Sequence, residues 1–156
     1  MAQTFGAVLG TRAASDAGIE EAIRYHDGAA SWREFEARTA ALAQALVDLG
    51  VKVDDLVALT LPNGIDHHIA SFAIWRAGAT PCILPAKLPE REFTQLIELA
   101  GPRVLIGRGD EAPEGMIRIG ADAGNAPVDL PGDLAAALRD EAGKVRRSAL
   151  RKERLA

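Results

Sequence analysis

Between residues 56 and 106 short apolar runs alternate with amphipathic stretches of roughly twelve residues, and this alternation limits the possible folds more than any other feature. The runs read LVALTL at Leu56–Leu61, TPCIL at Thr80–Leu84 and RVLI at Arg103–Ile106. Runs this short and this continuously apolar suit strands covered on both faces, because a strand wetted on one face would alternate with polar residues. Between them, Ile65, Ile69, Phe72, Ala73 and Arg76 share one helical face, and Phe93, Leu96, Ile97 and Ala100 share another. Asp66 sits in the first turn of the first helix, Pro89 takes the first helical position of the second, and Gly78 and Gly101-Pro102 stop them. The pattern predicts an α/β fold: a parallel sheet with right-handed crossovers and helices on both faces.

Upstream, Ser31-Trp32-Arg33-Glu34 has the form of a capping box, in which hydroxyl and carboxylate each satisfy the other residue's amide. The helix it starts carries Trp32, Phe35, Leu42, Leu46 and Leu49 on one stripe, with Thr39 in the gap, and Gly50 ends it. Leu46→Ala is expected to lose about 2–5 kcal/mol. The turn His26-Asp27-Gly28 predicts a small N-terminal hairpin pairing Ala22–Tyr25 with Ala30–Trp32, and Phe5, Val8 and Leu9 predict a weak helix over 4–14. Beyond Gly107, Met116–Ile119 reads as a strand. A last helix is expected from Gly132, with Leu134, Leu138, Ala142, Val145 and Ala149 at helical spacing. The organisation expected is one domain over 1–140 and a basic helical tail over 141–156.

Charge supports that division. Residues 1–143 hold 12 Lys/Arg against 21 Asp/Glu, whereas residues 144–156 hold 6 against 1. The acidic body gives no electrostatic reason to bind nucleic acid. The longest apolar stretch, Ile69–Ala86, is broken by Arg76 and Pro81, so no membrane span is expected. The N-terminus has no secretory pattern and there is one cysteine, Cys82, which together predict a cytoplasmic chain with no disulfide framework.

Reacting groups do not gather in the sequence. Gly107-Arg108-Gly109 and Gly120 to Gly124 lack the following lysine and hydroxyl residue of a phosphate loop, and Gly143-Lys144 is followed by Val145 where the loop needs a hydroxyl. His67 and His68 are adjacent on a helix and point about 100° apart, which rules out a shared metal at helical i, i+4 spacing. Cys82 lies in an apolar strand and reads as an inert core residue, and His26 completes no Ser-His-Asp set. No catalytic residue and no metal ligand set is expected.

Ser31 to Gly107 resembles the N-terminal part of the AMP-forming acyl-CoA synthetases and ligases. Three stretches carry the likeness: the aromatic-led helix ending Leu49-Gly50-Val51 and running through Asp54-Asp55 into Val57-Ala58-Leu59; Leu61-Pro62-Asn63, a helix and Arg76-Ala77-Gly78-Ala79; and Pro85-Ala86-Lys87-Leu88-Pro89 before a helix with Glu92 and the strand Val104-Leu105-Ile106. The resemblance implies a reaction in which ATP and Mg²⁺ activate a carboxylate as an acyl-adenylate and CoA then accepts the acyl group. It also implies that the phosphate loop, the Mg²⁺ carboxylates and the catalytic lysine belong to later segments. One residue carries over: Lys87 stands where a basic residue lies near the CoA phosphates in some members, and otherwise reads as a solvated surface lysine. Lys in place of the common Arg keeps the charge and loses the bidentate fork.

Two readings follow from the resemblance. In one, the chain is a truncated N-terminal portion of an ATP-dependent, AMP-forming acid:CoA ligase, not catalytic by itself and needing no cofactor alone. In the other it is a stand-alone binding or scaffolding module that docks on a full-length relative. Either way self-association is expected, because surface that later segments would cover stays open.

Overall fold

The computed structural model describes residues 5–26, 28–107, 116–121 and 128–129. The helix expected from Gly132, the basic tail, the division at residue 140 and the Gly143-Lys144 pair lie outside the described residues.

The chain opens with α1 (Phe5–Ala14), a short 3₁₀ turn (Asp16–Ile19), and a hairpin of β1 (Glu21–Tyr25) and β2 (Gly28–Ser31). There follow α2 (Trp32–Asp48), β3 (Leu56–Leu59), α3 (Ile65–Arg76), β4 (Thr80–Ile83), α4 (Glu90–Ala100), β5 (Val104–Gly107), β6 (Ile117–Ala121) and β7 (Val128–Asp129). The main sheet has the order β4-β3-β5-β6-β7, parallel throughout except for β7. The α/β fold read from the sequence is the fold observed, with helices on both faces and the separate antiparallel hairpin.

Side-chain alternation assigns the two faces. Val57, Leu59, Val104 and Ile106 turn to one side and form the larger core with Leu46 of α2 and Ile69, Ala73 and Ile74 of α3. Ala58 and Leu105 turn to the other and meet Phe93 and Ile97 of α4 together with Leu84. All six strand side chains are fully buried, which is why these runs are apolar at every position. The connection through α3 steps outward from β3 to β4, and the one through α4 crosses back over β3 to β5. Crossovers running in opposite directions put their helices on opposite faces.

The helix ends are built from the residues that mark them in the sequence. The Glu34 amide donates to Ser31 Oγ at 3.3 Å and the Ser31 amide donates to the Glu34 carboxylate at 2.8 Å, closing the capping box of α2. These bonds from the Ser31 amide, then from its hydroxyl, hold the Glu34 carboxyl below its ordinary range, against a small opposing effect of burial. α2 and α3 end alike: Gly50 and Val51 donate to Val47 and Leu46, and Gly78 and Ala79 donate to Trp75 and Ile74, the paired bonds of a Schellman motif. In both, the residue after the glycine drops into the larger core, so the stop signal also aims the next strand. Where α2 crosses α3, Phe35 meets Phe72 edge-on at 5.3 Å. Arg76 donates to Glu36 at 2.7 Å, and Arg38 pairs with Asp66.

Several boundaries differ from the sequence reading. Trp32 is the first residue of α2 rather than a strand residue, because the Ser31 cap claims the position before it. Pro89 is the N-cap of α4, one residue earlier than expected. Leu96 is 37% exposed and Ala100 is only half-buried, so the buried face of α4 is narrower than the spacing suggested and rests on Phe93 and Ile97. Cys82 is half-buried against the smaller core instead of sealed inside it, since β4 lies at the sheet's edge.

Candidate functional site

In an open α/β sheet the place to look is beyond the carboxyl ends of the strands, where the strand order reverses. Here that point lies between β3 and β5, the strands from which the chain proceeds to opposite sides. The Thr60 amide and hydroxyl both donate to the Ile106 carbonyl, at 2.9 and 3.2 Å, and extend the pairing past β3. Gly107 follows at φ +117°, and a Cβ there would stand 2.5 Å from Thr60 Oγ1 and 3.0 Å from the Thr60 carbonyl carbon. The floor of the crevice is therefore backbone, closed by a residue that has to be glycine.

Leu61-Pro62-Asn63-Gly64 rises from this floor into α3. His67 reaches back to it: its Nδ1 donates to the Leu61 carbonyl at 3.2 Å, which fixes the proton on Nδ1 because a carbonyl can only accept. Ser71 Oγ donates to the His67 carbonyl at 2.9 Å, one turn further along. His68 turns to a different neighbour. The two rings stand 5.7 Å apart at 81°, and His68 borders an apolar cleft. Burial first, and the adjacent His67 second, push its pKa below the ordinary histidine value.

Lys87 sits on the carboxyl side of the same sheet, on the exposed turn after β4 closed by the Leu88 amide and the Pro85 carbonyl at 3.2 Å. Among the described residues it makes no ion pair. Among the described residues no three histidine, cysteine, aspartate or glutamate side chains gather into a possible metal site, and no helix is long and apolar enough to cross a membrane. Among the described residues the crevice offers backbone groups, the Thr60 hydroxyl and one imidazole. That set can position an anion or an amide, but lacks a nucleophile with its base.

The Thr60–Gly107 closure is the feature that sequence reasoning missed. Its signal was present as a glycine directly after the apolar run 103–106, at the point where a parallel strand leaves the sheet.

Comparison with known proteins agrees with this architecture. A probable non-canonical nonribosomal peptide synthetase from Salinispora arenicola is 32% identical over 121 residues, covering 76% of this chain and 2% of that protein. ATP-bound MatB from Rhodopseudomonas palustris superposes with a TM-score of 0.72 at 23% identity, covering 87% of this chain and 28% of that one. A benzoate CoA ligase from Burkholderia xenovorans gives 0.66 at 20% identity, over 81% and 27%. The chain thus spans a small part of the length of the proteins it matches. The profile of the AMP-binding enzymes matches residues 11–151, nearly the whole sequence. That match, in a chain with a parallel sheet between two helical layers, establishes that the chain belongs to the AMP-binding enzyme family.

Proposed function

We propose that this chain is the N-terminal α/β portion of an ATP-dependent, AMP-forming carboxylic acid:CoA ligase and contributes scaffold rather than reacting groups. The observation that carries the reading is coverage: the sheet and helices align with about a quarter of the length of full synthetases, at 28% for ATP-bound MatB and 27% for the benzoate CoA ligase. The 156 residues contain no Thr/Ser/Gly-rich loop ending in Pro-Lys that would hold ATP phosphates. In this reading the sheet presents its carboxyl edge to the rest of the enzyme, and Lys87 on that edge lies near the CoA phosphates as a point charge. A second reading, favoured by the Salinispora arenicola relative, keeps the adenylation and replaces free CoA with the thiol of a peptide synthetase.

Pyrophosphate exchange tests the scaffold role directly. The full 156-residue chain, supplied with Mg²⁺-ATP and a panel of aliphatic, aromatic and amino acids, should exchange no label above a protein-free blank. Exchange above the blank with any acid would overturn it. Millimolar CoA should shift the Lys87 side-chain resonances in an NMR titration while ATP leaves them in place; no shift with CoA removes Lys87 from the proposal.

A further inference from the structure

We propose that the apolar cleft between α1, β1, α2 and α3 binds a small, uncharged aromatic molecule that hydrogen-bonds to His68. The cleft has a volume of about 340 Å³, within the range of small-molecule pockets. Val8 and Leu9 of α1 form one wall, Trp32 and Phe35 of α2 another, and Phe72 and His68 of α3 a third. Phe35 and Phe72 meet edge to face, at 76° between planes, and both rings line the cleft, the geometry in which aromatic rings cluster.

The chemistry of the lining selects the occupant. Among the described residues none that lines the cleft is Lys, Arg, Asp or Glu, so these walls give a charged ligand nothing to replace its hydration. Arg12 lies over the Trp32 ring at 5.6 Å but is paired with Glu20 at 3.0 Å, and it does not line the cleft. Among the described lining residues His68 is the one side chain with a hydrogen-bond acceptor, and no hydrogen bond to its ring nitrogens is made among the described residues. Burial first and His67 second lower its affinity for a proton, which favours the neutral ring with one donor and one acceptor. A phenol or an indole matches this pattern, whereas a carboxylate or a nucleotide does not. The site shares no residue with the carboxyl-edge crevice, and the inference does not rest on adenylation by this chain.

The test is an amide NMR titration of the full chain at pH 7.5 with 2-naphthol and, separately, with 2-naphthoate, which has the same ring and a negative charge. Saturable shifts at residues 8–9, 22–23, 32–35, 68 and 72 are expected with 2-naphthol, and about tenfold weaker binding with 2-naphthoate. Val8→Trp, placed at a half-exposed wall position, should fill the cleft and abolish binding, with circular dichroism checking the fold. His68→Phe keeps an aromatic wall and should weaken 2-naphthol about fivefold. Equal binding of the two probes, or shifts spread over the surface, would overturn the proposal. So would cleft resonances that move with protein concentration alone, which would mark a second copy as the occupant. Should Val8→Trp not fold, His68→Phe and the ratio between the two probes decide.

Discussion

Gly107 and His68 show what a single side chain decides in this fold. A Cβ at Gly107 meets Thr60 Oγ1 at 2.5 Å and adjacent backbone at 3.0–3.2 Å, and the residue already sits at φ +117°. Backbone cannot swing aside as a side-chain tip can, so Gly107→Ala should lose about 3 kcal/mol of stability. A urea midpoint unchanged within error would mean that β5 can leave the sheet by another route. His68 acts through protonation. Its folded-state pKa lies below the unfolded value, so between the two the unfolded chain binds more protons and stability drains away as pH falls. The contribution is complete above the unfolded value of 6.5 and lost on acidification below it. Melting curves from pH 7.5 to 5.5 should therefore show a decline that is shallower in His68→Phe; an identical slope would place the proton uptake elsewhere. Gly107 left one trace in the sequence, its place directly after the apolar run 103–106, and His68 left none. His67 and His68 differ only in which neighbour the helix turns them toward, and the cleft residues come from four elements spread between Val8 and Phe72.

Secondary-structure elements were far more legible, for a reason visible in their ends. The capping box at Ser31, the glycines at 50 and 78 and the apolar runs at 56, 80 and 103 act through local geometry, which sequence spacing encodes directly. Errors appeared where a second element decides. Leu96 is periodic with Phe93, yet it lies outside the strip that the sheet covers. Cys82 looks interior until the sheet order puts its strand at the edge. That edge carries its own safeguard. Thr80 and Leu84 donate inward to Asp55 and Leu59, so strand alternation turns the backbone of Pro81 and Ile83 outward. Proline removes one of those two outward donors, beside an Ile83 side chain that is 55% exposed. Pro81→Val should restore the donor row and raise light scattering on warming, with little change in the circular dichroism spectrum at low concentration. A variant that stays as clear as the parent would show that the edge is protected by something else.

At the scale of the whole molecule, the question is how much of the chain the fold needs. Both cores are composed of residues from Leu9 to Ile106, with Met116 packed against the smaller one, and together they cover the two faces of the parallel sheet. The last thirteen residues, 144–156, carry 6 Lys/Arg against 1 Asp/Glu and follow a body of opposite sign. In sequence, Leu150 and Leu155 lie off the stripe of Leu138, Val145 and Ala149, and Gly143 weakens helix propensity at the junction by about 1 kcal/mol relative to Ala. The family match points the other way, since it continues to residue 151 and so takes in residues 144–151 of this segment. Packing arithmetic favours the first view, because a segment without a consistent apolar face has little surface to bury. Removing residues 144–156 should then leave the melting temperature within about 2 °C of the parent, no more than a loss of about 1 kcal/mol would produce in a domain of this size. Electrostatics adds a second readout. If the basic segment of one molecule meets the acidic body of another, sedimentation equilibrium should show the parent associating at low salt and dissociating as salt screens the contact, with the shortened chain monomeric in both. A fall of several degrees on deletion would instead make the segment integral to the fold, as the extent of the family match implies.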